Sequence, residues 1–115
     1  YVLFECEDPD IYCLYSQRDA YLWESDVVEL FLVPDPEKPL YYEFQSAPNG
    51  ALFDARFISR GGGDFRRWAQ WNCPFEAAVA VKGTLNDWTD RDEGYTAEWR
   101  IPWSAFADAS GTVPP

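Results

Sequence analysis

The chain has 115 residues, and 47% of them are hydrophobic, so it can bury the core of one domain. With 20 acidic and 9 basic residues its formal net charge is −11, which makes nucleic acid and anionic membrane surfaces poor partners. It contains neither histidine nor methionine, which excludes Ser-His-Asp and Cys-His catalysis, histidine-ligated zinc, and haem held by either residue.

Three strands are predicted in the first third of the chain. Residues 1–7 and 11–16 are short aromatic and aliphatic runs, and the turn-forming residues Asp8-Pro9-Asp10 separate them. Residues 26–33 are apolar on both faces, which is typical of a central strand. The turn-rich stretch 34–39 ends that strand.

A β-hairpin is predicted in the middle of the chain. Residues 40–46 form one strand, and Pro48-Asn49-Gly50 makes a tight turn into residues 51–59. Small and aromatic residues alternate with polar ones over much of 51–59, which indicates a half-buried strand.

Residues 60–74 form a long predicted loop, glycine-rich at its start and tryptophan-containing near its end. Residues 75–82 fit a helix or a strand, and the turn residues after them favour a strand. Residues 94–101 alternate clearly and predict a further strand, and residues 104–108 fit one helical turn.

About seven short strands without a long helix predict an all-β fold, an antiparallel β-sandwich of the jelly-roll or immunoglobulin-like kind. We expect residues 1–115 to form a single domain. Tyr1 stands in a predicted strand in place of an initiating methionine, and the last residues add no closing strand. We therefore expect the domain to be a fragment of a larger chain.

The three cysteines, Cys6, Cys13 and Cys73, allow at most one internal disulfide. No Cys-x-x-Cys motif is present, which argues against a zinc ribbon or a redox site. We favour small packing residues for all three. A bridge between Cys6 and Cys13 stays open if their strands form a hairpin.

Among the acids, Glu29 is the first candidate for chemistry because it stands in an apolar run, and Glu98 is the second. We favour ion pairs at a sheet surface for both over an acid pair in catalysis. The acidic turns at 8–10 and 87–93 are predicted to be ordinary turns, with a structural calcium site as the lesser alternative. No cofactor is expected.

The aromatic residues give the strongest indication of a ligand. Six tryptophans are more than a core of this size needs. Trp23, Trp68 and Trp71 are predicted at strand edges or in loops, where an indole can stack on the apolar face of a sugar ring while nearby acids and amides hold its hydroxyls. Trp99 and Trp103 are predicted to pack.

Four segments, in order, resemble the family 9 carbohydrate-binding modules and their DOMON-like relatives. Residues 23–32 (WESDVVELFL) are similar to the family's W-x-x-D-x-x-E-hydrophobic signature. The other three segments are residues 1–8 (YVLFECED), residues 41–50 (YYEFQSAPNG) and residues 94–103 (GYTAEWRIPW).

The resemblance implies a β-sandwich that binds a mono- or oligosaccharide without catalysis, often beside a secreted glycoside hydrolase. It assigns sugar stacking to Trp23 and hydrogen bonding to Glu29. Gln45 stands where the family often has a basic residue, so we expect an altered contact there. The family's second stacking tryptophan lies near the C-terminus of its members. In this chain Trp71 or Trp68 is the expected substitute. The relatives that bind haem need axial ligands that this chain lacks.

The first hypothesis is therefore a secreted, periplasmic or cell-surface module that binds a polysaccharide through Trp23, Glu29, Gln45 and Trp71. The second is a structural sandwich domain of a larger secreted protein that has lost the sugar. The third is an enzyme that uses Glu29 and Glu98. Other domains of the parent chain are the expected protein partners, and no run of about 20 apolar residues is present for membrane insertion.

Overall fold

The computed structural model describes residues 1–59, 65–108 and 110–114, with the side chain of Phe65 left out. Its elements are six strands, one short helix and two 3-10 turns within those ranges. They are β1 (Val2–Glu7), a 3-10 turn (Leu22–Glu24), β2 (Val28–Leu32), β3 (Tyr41–Ser46), β4 (Leu52–Phe57), α1 (Phe65–Trp68), β5 (Glu76–Lys82), β6 (Gly94–Arg100) and a second 3-10 turn (Trp103–Phe106).

The strands form two three-stranded sheets, in the orders β1–β6–β5 and β2–β3–β4. Every pairing is antiparallel. This arrangement confirms the prediction of an all-β antiparallel sandwich. The predicted hairpin is present as β3 and β4, residues 75–82 contain strand β5, and a helical turn occurs at Trp103–Phe106.

The strand predicted at residues 11–16 is wrong. Ile11 and Cys13 are buried and their neighbours are exposed, so the alternation in the sequence is real. The backbone N–H of Ile11 donates to Asp92 Oδ2, and that of Cys13 donates to Asn86 Oδ1. Because loop side chains satisfy these groups, the segment is extended without joining either sheet.

The predicted loop 60–74 is described only from residue 65 onward, where it contains the short helix α1. Its glycine-rich start lies outside the described residues. The tight turn predicted at 48–50 is present, and Gly50 adopts φ +86°, which glycine reaches without strain.

The sandwich core lies between the two sheets. Trp99 on β6 is fully buried and packs against Phe4 and Phe75, with ring centroids 4.8 and 5.5 Å away. Its indole Nε1 donates to Ser46 Oγ on β3 at 2.8 Å, which links the two sheets. Trp99 is thus a packing residue, as predicted. Trp103 is 55% exposed: its ring meets Phe106 at the edge of the core, and its Nε1 donates to the carbonyl oxygen of Pro114.

A second, smaller apolar cluster covers part of the outer face of the β2–β3–β4 sheet. Leu22 from the first 3-10 turn and Ala69 after α1 pack there against Phe53 and Ala55 of β4. The segments before β2 and after α1 therefore fold over part of this face, while Glu29 and Phe31 on β2 stay exposed.

All three cysteines are free, so the bridge between Cys6 and Cys13 is not formed. Cys13 and Cys73 are buried, as expected of packing residues. Burial, with the nearby Asp54 carboxylate as the second cause, raises the pKa of the Cys73 thiol to about 12. A thiol with such a pKa stays protonated at neutral pH and is a poor nucleophile.

Gly94 is required at the start of β6. Its φ is +139°, and a Cβ at this position would lie 1.9 Å from the carbonyl oxygen of Cys6 on the neighbouring strand. Any side chain here would push β1 and β6 apart.

Replacing Ser46 with alanine should destabilise the fold, because the buried indole N–H of Trp99 would lose its acceptor. The expected cost is about 1–3 kcal/mol in the free energy of unfolding, measured by urea denaturation. Ser104→Ala at an exposed position is the control and should change stability by less than about 0.5 kcal/mol. Equal effects of the two substitutions would contradict the role of this hydrogen bond.

Candidate functional site

The outer face of the β2–β3–β4 sheet carries a row of three residues from three strands. Glu29 on β2 lies directly opposite Gln45 on β3, and Gln45 lies opposite Phe53 on β4. Side chains of directly opposite residues point to the same face of a sheet. Since the adjacent Phe44 packs in the sandwich core, this row faces outward.

Trp23 lies at one end of this row. Buried Leu22 anchors the 3-10 turn Leu22–Glu24 in the small apolar cluster, which fixes the position of the next residue. The Trp23 ring meets Phe53 edge-on at 5.6 Å between centroids and lies 4.9 Å from the ring of Tyr21. Trp23 is 43% exposed, so part of its indole is accessible to a ligand.

Gln45 is fully buried and holds two carboxylates together. Its Nε2 donates to Glu29 Oε1 at 2.7 Å and to Glu43 Oε1 at 2.6 Å. These bonds use both donors of the amide. Its Oε1 is buried and has no hydrogen-bond partner. We call Glu29, Glu43 and Gln45 the acidic triad.

The two carboxyl groups of the triad interact electrostatically. Burial in the first place, and the hydrogen bond and charge of the neighbouring Glu29 carboxyl, raise the pKa of Glu43 from 4.5 to about 7, against the lowering effect of the Gln45 hydrogen bond. Near neutral pH the triad therefore binds a fraction of a proton. No lysine or arginine of the described residues forms an ion pair with Glu29 or Glu43.

An aromatic strip continues the outer face beyond the triad. Phe31, which is 53% exposed, lies opposite Glu43 and 6.4 Å from the ring of Tyr41. Tyr41 stacks on Phe57 at 4.6 Å, and Phe57 lies 6.4 Å from Trp68. The strip and the triad together form one open surface.

Trp71 is not brought to this surface. Its ring lies 5.0 Å from Tyr42 and 6.2 Å from Phe44, and both of those residues point into the sandwich core. Trp23 and Trp71 therefore lie against opposite faces of the same sheet. Of the two substitutes named for the second stacking tryptophan, only Trp68 contacts the outer face.

Sequence reasoning missed Glu43, Phe31 and Tyr41. Glu43 and Tyr41 stand two and four residues before Gln45, so the period of two along a strand places all three on one face. That signal was present in the sequence. The pairing of Phe31 with Glu43 needed the register of β2 against β3 as well.

The family comparison agrees with the resemblance on which the site was first placed. The model of the family described as carbohydrate family 9 binding domain-like matches residues 1–113. The chain belongs to this family. Neither a search of curated proteins nor a search of solved structures found a match.

A carbohydrate-binding family argues for binding over catalysis, and the position of Glu98 agrees. Glu98 lies on β6 between Ala97 and Trp99, which are both fully buried, and its own side chain is exposed on the outer face of the other sheet. The core of the carbohydrate-binding domain separates Glu98 from Glu29. The hypothesis of an enzyme that uses this pair is therefore wrong.

The acidic turns bind the chain's own backbone. Asp92 accepts hydrogen bonds from the N–H groups of Ile11 and Thr84, and Asp87 accepts from Thr89. Within the described ranges, no three or more cysteine, aspartate or glutamate residues are grouped so that they could hold a metal ion. Calcium binding stays an untested alternative without a geometric basis in this part of the chain.

The candidate site is a surface rather than a cleft. One cleft lies beside residues 5–9 and 91–96, and another lies between residues 34–40 and residues 106–108 and 112–114. Trp23, Glu29 and Gln45 line neither of them. In the described part of the chain, no helix has the length and apolar character needed to cross a membrane.

The raised pKa of Glu43 predicts a pH-dependent stability. The folded domain keeps the Glu43 proton up to about pH 7, whereas the unfolded chain releases it near 4.5, so this group makes the free energy of unfolding fall as pH rises between those values. Glu43→Gln should remove this decrease in the free energy of unfolding. The stability of the variant relative to the unmodified domain should therefore rise with pH. Urea denaturation from about pH 5 to 8 measures the difference.

Glu98→Gln is the matched control, since it removes an exposed carboxylate from the other sheet. Its stability curve should run parallel to that of the unmodified domain. A Glu43→Gln curve that also runs parallel would contradict the proton sharing in the triad.

Proposed function

We propose that this domain binds a saccharide on the outer face of the β2–β3–β4 sheet, as a non-catalytic module. A sugar ring stacks on Trp23, and its hydroxyls bond to Glu29, whose carboxylate the buried Gln45 amide holds in place. The observation that carries the proposal is the continuous row from Trp23 through Phe53 and Gln45 to Glu29.

Trp23 supplies the apolar part of the recognition. Its contact with Phe53 holds the ring upright at the end of the row, and its exposed part offers a flat surface to the C–H groups of a sugar. The neighbouring Tyr21 ring limits the rotation of the indole. A platform held in place before binding loses little side-chain entropy when a ligand arrives.

Glu29 and Gln45 supply the polar part. A sugar hydroxyl can donate to the exposed carboxylate of Glu29. Gln45 is fully buried and its Oε1 is closed to solvent, so the direct contact with the sugar that was predicted for Gln45 is wrong. Both donors of its amide hold the carboxylates of Glu29 and Glu43, so Gln45 acts by positioning Glu29.

The alternative is a structural domain that has kept the fold and lost the sugar. The position of Trp71 favours it, because the expected second platform is turned toward the core. Two observations favour binding instead. Trp23 is partly exposed, and Glu29 is exposed and forms no ion pair with any described basic residue.

The open form of the site favours moderate affinity for a sugar that belongs to a longer polymer. A single platform buries little area, so tight binding of a free monosaccharide is not expected. A location outside the cell and other domains in the parent chain, such as a glycoside hydrolase, complete the proposal. Membership of a carbohydrate-binding family is what supports these features.

Trp23→Ala should weaken saccharide binding by tenfold or more, about 1.4 kcal/mol, because the stacking surface is lost. A panel of mono- and oligosaccharides is titrated by calorimetry, and the best ligand is then titrated into the variant. Trp88→Ala is the control, since Trp88 is 78% exposed and lies in the loop between β5 and β6, which belong to the other sheet. Equal affinities for the two variants, or no binding of any sugar by the unmodified domain, would overturn the proposal.

A further inference from the structure

The acidic triad offers acceptors and no spare donors. Gln45 spends both of its N–H groups on the two carboxylates. The carboxylate oxygens of Glu29, which is exposed, and of Glu43, which is half-buried, remain available to a ligand. A hydroxyl can donate one hydrogen bond to such a site, whereas an ammonium group has three donors and accepts none.

Among the described residues, no basic side chain is paired with the triad, although other acids have such a partner. Buried Asp54 is paired with Arg18 at 2.8 Å, Asp35 with Lys38 at 2.9 Å and Glu76 with Arg100 at 2.9 Å. None of these described basic side chains reaches the triad, although it holds two carboxyl groups on one buried amide. Two carboxylates this close repel each other unless a proton or a cation lies between them.

The surroundings of the triad favour a cation over another acid or an apolar group. Phe31 lies opposite Glu43, and Tyr41 precedes Glu43 by two residues on the same face. Aromatic rings attract cations through their faces. The net charge of −11 raises the local concentration of cationic ligands around the whole domain.

We propose that the acidic triad binds the ammonium group of an amino sugar, so that the preferred ligand is a sugar ring that carries a free amine. This inference rests on the proposed saccharide function and names the ligand class for the same site. The ring stacks on Trp23, and the ammonium donates to the carboxylates of Glu29 and Glu43. The proton shared at Glu43 then leaves to solvent, because the ammonium replaces it as the positive partner.

The test compares sugars that differ in a single substituent. Glucose, glucosamine and N-acetylglucosamine, with their galactose counterparts, are titrated by calorimetry into the unmodified domain at about pH 6.5, where a primary amine is protonated. In whichever of the two series binds, we expect the free amino sugar to bind at least tenfold more tightly than the parent sugar and the N-acetylated sugar. Raising the salt concentration should reduce this advantage and leave the affinity of the neutral sugars unchanged.

Variants locate the effect. Glu29→Gln and Glu43→Gln should each remove most of the preference for the amine, while Glu98→Gln should keep it. Glu29→Gln and Glu98→Gln each remove one exposed carboxylate, so a preference lost equally in Glu98→Gln would assign it to the charge of the whole domain and overturn the proposal. If one triad variant does not fold, the other one decides the matter against Glu98→Gln.

Failure of this inference can be told apart from failure of the proposed function. If neutral sugars bind as tightly as amino sugars, the amine preference is overturned. If Trp23→Ala also abolishes that binding, the saccharide site itself is retained. No binding of any sugar in the panel would overturn both. If Trp23→Ala does not weaken the binding of amino sugars, the sugar ring does not stack on Trp23. That result would also contradict the proposal.

Discussion

The register of the β2–β3–β4 sheet is the constraint on which both the core and the candidate site depend. Successive side chains of a strand point to opposite faces, so Phe44 enters the core when Gln45 points outward. Pairing shifted by one residue would turn Gln45 toward Trp99 and expose Phe44. The cost of placing polar groups in that core fixes the register, and with it the row of Glu29, Gln45 and Phe53.

Local patterns were sufficient for most of the fold and failed where the hydrogen-bond partner is distant. The hairpin of residues 40–46 and 51–59 was predictable because its turn and its alternation are both local. Residues 11–16 show the same alternation of burial, yet the Ile11 N–H is satisfied by Asp92, which is 81 residues away in the sequence. A period of two indicates which side chains are buried. It does not indicate whether the backbone joins a sheet.

The residues of the candidate site also differ in whether a local pattern could predict their positions. Trp23 and Glu29 lie in one contiguous motif, and a predicted hairpin places Gln45 on the neighbouring strand, so the structure brings together three of the four predicted residues. Trp71 depends on the path of the chain after β4, which no periodicity records. Glu43 was overlooked even though the alternation that places Gln45 places it as well.

The buried amide of Gln45 has a consequence for what the surface rejects. By holding two acids side by side in a chain of net charge −11, it sets a negative potential before any ligand arrives. A uronate or sulfate group that approached Trp23 would add its own negative charge to this potential. If the domain binds saccharides as proposed, discrimination against anionic polysaccharides would come from repulsion, which needs no contact with the rejected polymer and operates at a distance set by the ionic strength.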